Sequence, residues 1–227
     1  MNVEHPFAGP AMRREWLIAN FFAFAVGGAL FGGVLRALGE PYYGMMTSAV
    51  DAGIVQARSL GVSSLVFGGV VGIAQWLVIR RRIRAGWWAL GTGAGWGLSG
   101  VLSGFNSGGS VSTIGPDAGP LPPILYAPVA LPLVVFLLGS AQWLVLRREF
   151  AGAAWWLLAN VGGIVAGFIV GFVVAKSIPW LAPTDFPSAR ALGIVGAVAG
   201  PVYGLLTWAF LADLRPREVP SRGHAGS

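Results

Sequence analysis

Two glutamines recur in one setting. Gln75 and Gln142 each stand five residues before an arginine pair, in Ala74-Gln75-Trp76-Leu77-Val78-Ile79-Arg80-Arg81 and Ala141-Gln142-Trp143-Leu144-Val145-Leu146-Arg147-Arg148, strings identical at seven of eight positions. Thr207 holds the equivalent place in a fainter third copy, where Gly204, Thr207 and Trp208 align with Gly72, Gln75 and Trp76. Asn20 and Asn160 lie four residues after Trp16 and Trp156, with Thr92 as their equivalent. A carboxamide carries two donors and an acceptor, and a hydroxyl carries one donor. Set in apolar segments, such groups suit two chemistries. They either hydrogen-bond helix to helix, or line a cavity for a small polar solute or a lipid headgroup. Helical rise places all six roughly 6–8 Å inside one boundary of the apolar segments, so they form a layer.

Other chemistry is sparse. Ionisable groups in hydrocarbon usually mark proton or ion paths, and none of the nine acidic residues lies in the middle of an apolar run. Arg36, near the end of the first run, is the deepest cation; it snorkels, pairs with Glu40 or holds an anion. There is no cysteine, and His5 and His224 lie at the two ends of the chain. Thiolate metal sites, Fe–S clusters and axial imidazoles are therefore not expected. Gly95-Trp96-Gly97-Leu98-Ser99-Gly100 fits G-x-G-x-x-G, but no strand precedes it, so it is not read as a nucleotide site. No phosphate-binding G-x-x-x-x-G-K-[ST], H-E-x-x-H or G-x-S-x-G occurs. The inventory points to no enzyme, no catalytic residues, no metal and no cofactor.

The elements that position the amides follow from composition. Of 227 residues, 55% are hydrophobic and 11% charged, against about 25% charged in a soluble domain. Apolar runs at 16–38, 60–79, 87–104, 124–146, 154–176 and 190–212 are each long enough, or nearly so, to span a bilayer. They predict an all-α integral membrane protein of six transmembrane helices. Ala23-Phe24-Ala25 resembles a signal cleavage site, but the run continues well beyond it.

Charge placement orients the bundle. Arg13, Arg14, Arg80, Arg81, Arg82, Arg84, Arg147, Arg148, Arg215, Arg217 and Arg222 fall on one side, and Arg36, Arg58, Lys176 and Arg190 on the other. The positive-inside rule then puts both termini in the cytoplasm. The net charge of +6 thus reads as topology and implies no nucleic acid partner. Trp16, Trp87, Trp88, Trp155 and Trp156 open their runs, and Trp76, Trp143 and Trp208 lie near the ends of theirs, as interfacial anchors would. Of the outer connections, 39–59 suits a short interfacial helix, and 105–123 is rich in Gly, Ser and Pro.

The repeats divide the chain into three hairpins, 12–84, 85–152 and 153–213, all entering from the cytoplasm. Such parallel repeats are related by an axis along the membrane normal, which predicts pseudo-three-fold packing within a single membrane domain, 1–213. Residues 214–227, arginine-rich and without apolar periodicity, read as a disordered cytoplasmic tail. Glycines spaced by four, such as Gly28 and Gly32 or Gly196, Gly200 and Gly204, suit close helix packing.

The Gln-Trp-Leu-Val-Ile/Leu-Arg-Arg strings, followed by Trp87-Trp88-Ala89-Leu90 and Trp155-Trp156-Leu157-Leu158, resemble a loose group of uncharacterised bacterial multi-pass membrane proteins. The resemblance covers most of 12–152 and more weakly the last hairpin. It implies a bacterial inner-membrane location and carries over no activity or site residue. Two functions are consistent with these features: an accessory, assembly or scaffold subunit with lipids and other subunits or its own copies as partners, and a channel or facilitator for a small neutral or lipidic substrate.

Overall fold

The computed structural model of the chain describes residues 7–39, 49–83, 86–112, 127–177 and 188–217. It is all-helical apart from one two-stranded ribbon. The helices are α1 (Pro10–Gly39), α2 (Ala49–Ile79), α3 (Trp88–Ser112), α4 (Ala127–Glu149), α5 (Trp155–Ser177) and α6 (Ala189–Asp213). Each coincides with an expected run, but several are longer. Of the outer connection 39–59, expected to hold a short interfacial helix, the described residues 49–59 are the first turns of α2. Nothing in that stretch breaks a helix, and Asp51 in the first turn favours the helix dipole. Likewise α3 continues to Ser112; 40–48 and 113–126 lie outside the described residues.

Local chemistry sets the ends. Pro10 opens α1, where its fixed φ and missing N–H cost nothing. Ser188 caps α6, its Oγ accepting the Ala191 N–H at 3.1 Å. Between α4 and α5 the chain turns through Gly152 at φ 75°, a conformation that favours glycine.

The helices form a ring in which each packs on its sequence neighbours and α6 closes on α1. The most extensive contacts are α2 on α3 and α1 on α6, which join one expected hairpin to the next. Glycines explain the closeness. A Cβ at Gly72 would lie 2.9 Å from Ala89 Cα, and one at Gly167 would lie 2.8 Å from the Ala199 carbonyl oxygen. At Gly196 and Gly28 a Cβ would run into the carbonyl oxygens of Phe24 and Leu192. Small faces let these backbones touch, and dispersion holds them.

The radial pattern is the inverse of a soluble bundle. Phe22, Ile54, Ile73, Ile169 and Val173 are more than half exposed, whereas Asn20, Gln75 and Thr207 are fully buried. The helices α1, α2, α5 and α6 are long and apolar enough to cross a membrane. This architecture fits a multi-pass membrane protein.

The arginine-rich end is capped. The strands β1 (Phe150–Ala151) and β2 (Arg215–Pro216) pair antiparallel, with Phe150 opposite Pro216. The Arg217 N–H donates to the Glu149 carbonyl at 2.9 Å, and Leu214 is 2% exposed. The tail expected to be disordered from 214 is therefore built into the fold through 217. The physical reason is an apolar Leu214 within reach of a cluster that includes Phe7, Ile83, Leu146 and Phe150. Residues 218–227 lie outside the described residues.

Candidate functional site

Three tryptophans and six small polar side chains make one layer near the arginine-rich end. The Trp88 Nε1–H donates to Gln75 Oε1 at 3.1 Å, the Trp156 Nε1–H to Gln142 Oε1 at 2.9 Å, and the Trp16 Nε1–H to Thr207 Oγ1 at 3.0 Å. In each case the indole on an odd-numbered helix reaches the even-numbered helix before it around the ring, α1 reaching α6. One turn on, Asn20 Nδ2 donates to the Trp16 carbonyl at 2.8 Å, Thr92 Oγ1 to that of Trp88 at 2.7 Å, and Asn160 Nδ2 to that of Trp156 at 3.1 Å. These i to i−4 bonds follow from helical spacing and aim the remaining oxygens sideways.

Those oxygens bind the next helix. Gln75 Nε2 donates to Asn20 Oδ1 at 2.9 Å, joining α2 to α1, and Gln142 Nε2 to Thr92 Oγ1 at 2.8 Å, joining α4 to α3. For α6 and α5 the donor is not Thr207, whose hydroxyl bonds its own helix at the Tyr203 carbonyl, 2.8 Å away. Instead the Tyr203 hydroxyl donates to Asn160 Oδ1 at 2.7 Å. Across the centre, Gln142 Nε2 also donates to Gln75 Oε1 at 3.1 Å.

Every polar side-chain atom of the layer is engaged. Trp16, Trp88, Trp156, Gln75, Asn20 and Thr207 have no exposed surface, and Gln142, Thr92 and Asn160 have at most 2%. Among the described residues every fully enclosed side-chain nitrogen or oxygen has a hydrogen-bond partner. Within it, the Trp88 and Trp156 rings meet at a tilt with centroids 5.7 Å apart, and below it Phe7 meets Phe150 at 5.4 Å. Above it, Phe24, Phe67, Tyr203 and Trp96 form a continuous aromatic column with centroid spacings of 4.6–5.2 Å. Chemically, the layer can lock six helices in register; each of its polar side-chain atoms is bonded within the protein, and only the second Nδ2–H of Asn20 and of Asn160 has no acceptor among the described residues.

All six amide and hydroxyl residues singled out by spacing meet here. Arg36 does not: it is exposed at the far end of α1, and its expected partner Glu40 lies outside the described residues. The tryptophans divide in a way the anchor reading missed. Trp87 and Trp155 are 71% and 64% exposed, but Trp16, Trp88 and Trp156 are interior hydrogen-bond donors. A buried indole needs an acceptor, and the amide one helix away provides it. The signal was present in the Trp-to-Asn or Trp-to-Thr spacing of four. Tyr203 had a weaker signal: it stands one turn before Thr207 in the copy that lacks the glutamine.

Two other features complete the site. At the rim, the guanidinium groups of Arg13, Arg80 and Arg147 lie 5.0, 5.0 and 4.8 Å from the ring centres of Trp208, Trp76 and Trp143, within cation–π range. In the opposite half, a cavity of about 250 Å³ lies among α1, α2, α3, α5 and α6, with Phe31, Phe67, Trp96 and Phe168 in its wall. Among the described residues no three His, Cys, Asp or Glu side chains are grouped to hold a metal. No family model, curated protein or solved structure matches the chain.

Proposed function

We propose that this chain is a non-catalytic inner-membrane protein of six spans, both termini cytoplasmic, and that it serves as an accessory, assembly or scaffold subunit. In this reading the three hairpins are parallel repeats about a pseudo-three-fold axis, and the tryptophan–amide layer is the clamp that closes the ring at its cytoplasmic end. The carrying observation is burial with pairing: every polar side-chain atom of the layer's amides and indoles is buried and hydrogen-bonded within the bundle. A transport cavity needs exposed polar groups to replace a solute's water, and those of this layer are at most 2% exposed. The glycine-tight contacts α1–α6 and α2–α3 support a rigid body better than a rocking one.

The test is native mass spectrometry after gentle extraction at natural abundance, with inside-out and right-side-out accessibility of each terminus measured in parallel. The reading expects a defined homo-oligomer or a stoichiometric partner, and both termini accessible only from the cytoplasmic face. A monodisperse monomer without a partner would defeat the subunit role, and a terminus outside would defeat the topology. The facilitator reading keeps one observation in its favour, the cavity in the outer half. It requires the clamp to open, so flux of small neutral solutes in reconstituted vesicles should then rise when Gln75 and Gln142 are replaced by Leu.

A further inference from the structure

The outer cavity has an unspent hydroxyl. Ser64 is 6% exposed and lies in the cavity wall, yet it makes no hydrogen bond to any described residue. Other interior serines satisfy themselves along their own helices. Ser63 Oγ donates to the Ser59 carbonyl at 2.6 Å, Ser59 to Val55 at 2.7 Å and Ser99 to Gly95 at 2.7 Å. For Ser64 the corresponding acceptor is the Leu60 carbonyl. Both that oxygen and the Ser64 Oγ pack on Gly100 from α3, where a Cβ would collide with either. Since every fully enclosed side-chain nitrogen or oxygen among the described residues has a partner, the Ser64 Oγ must border open space. The open space beside it is the cavity.

The rest of the wall defines the complement. Phe31, Phe67, Trp96 and Phe168 supply aromatic faces, with Phe67 and Trp96 fixed edge-to-face at 4.6 Å and 71°. No Asp, Glu, Lys or Arg is among the described lining residues, so a charged ligand would pay desolvation without compensation. At about 250 Å³ the cavity exceeds the ~150 Å³ that encloses benzene. Ser64 precedes Gln75 by eleven residues, so the cavity lies roughly 16 Å beyond the amide layer. That layer and the aromatic column close the side toward the arginines. Ser99 and Ser103 also line the wall, but each already has a partner; an apolar pocket binds by shape and orients by its few placed polar groups, and Ser64 is the serine left to do so.

We infer that this cavity is a binding site for a neutral, apolar molecule of bicyclic size, or the ring end of a larger lipid, whose carbonyl oxygen accepts a hydrogen bond from Ser64. The inference is independent of the subunit role, since it concerns a site the clamp does not use.

The experiment compares two probes differing in one oxygen, 1-tetralone and tetralin, titrated calorimetrically into the full chain in lipid nanodiscs with empty nanodiscs as reference. Saturable binding of both is expected, with the ketone about five- to tenfold tighter, the value of one hydrogen bond. Ser64→Ala should bring the ketone down to the hydrocarbon's affinity and leave tetralin unchanged. Ser103→Phe, which fills the cavity from α3, should weaken both probes. The inference is overturned if neither probe saturates, if both bind the parent chain equally, or if S64A preserves the ketone's advantage. Should S103F fail to fold, the S64A comparison decides alone.

Discussion

Replacing Gln75 with Leu removes a hub while nearly conserving volume, so the cost should come from polar groups left behind. Gln75 donates to Asn20 Oδ1 and, at a long 3.5 Å, to Tyr203 Oη; it accepts from Trp88 Nε1 and Gln142 Nε2. Two of these partners have another bond: Gln142 retains Thr92, and Tyr203 retains Asn160. The Trp88 indole N–H and Asn20 Oδ1 are orphaned in a site with no exposed surface. An unpaired buried group costs about 1–3 kcal/mol, whereas hydrogen bonds measured inside membrane proteins average about 0.6. Between these scales, Q75L should destabilise by about 2–4 kcal/mol. Trp88→Phe removes one of the orphans itself, at the cost of a packing defect. The double variant should then fall short of the additive loss by about 1–2 kcal/mol. Both values are read from equilibrium unfolding by sodium dodecyl sulfate in a mild detergent, followed by far-UV circular dichroism. A layer that lined a watery cavity would behave otherwise, because water would satisfy the orphans. Q75L within about 0.5 kcal/mol of the parent, with no coupling to W88F, would refute the reasoning.

Three further outcomes follow from the same geometry. Tyr203→Phe deletes the hydroxyl that joins α6 to α5 through Asn160, and unfolding should report a loss of about 1–2 kcal/mol. Gly196→Leu should disrupt the α1–α6 contact and abolish monodisperse elution, whereas Gly162→Ala, with nothing within 4 Å of its added methyl, should be neutral or gain up to about 1 kcal/mol. Leu214→Ser, in a segment the sequence marks as tail, should cost about 2 kcal/mol because the side chain is buried in the cap; an unchanged unfolding curve would remove that segment from the fold.

The extent to which the sequence announced this arrangement varies by element, for physical reasons. Helix positions were legible because apolar runs bounded by arginines have one solution in a bilayer. The six layer residues were legible because amides are rare in such runs and these recur at matched depth. Which way each tryptophan faces was signalled only by the four-residue spacing to Asn20, Thr92 and Asn160. Trp87 and Trp88, or Trp155 and Trp156, are adjacent and chemically identical, and only the helix phase decides which faces inward. Tyr203 was hidden because it substitutes for a glutamine from one turn away. The α2 extension over 49–59 was hidden by polarity: Asp51, Gln56, Arg58 and Ser59 weaken the apolar signal without breaking the helix. The cavity was least visible of all, since it depends on aromatic residues from separate helices meeting in space. Ser64 becomes distinctive only once its hydroxyl is seen unpaired at the cavity wall.

Whether the layer is a dry clamp is tested most directly by indole hydrogen exchange, followed residue by residue by NMR in nanodiscs transferred to deuterated buffer. The chain carries its own reference, because each of two buried donors has an exposed neighbour: Trp87 beside Trp88 and Trp155 beside Trp156. The account predicts that the Nε1 protons of Trp16, Trp88 and Trp156 exchange on the order of a hundredfold more slowly than those of Trp87 and Trp155, through local opening of about 3 kcal/mol. Exchange of all five at a common rate would mean that water reaches the layer, and would contradict the account.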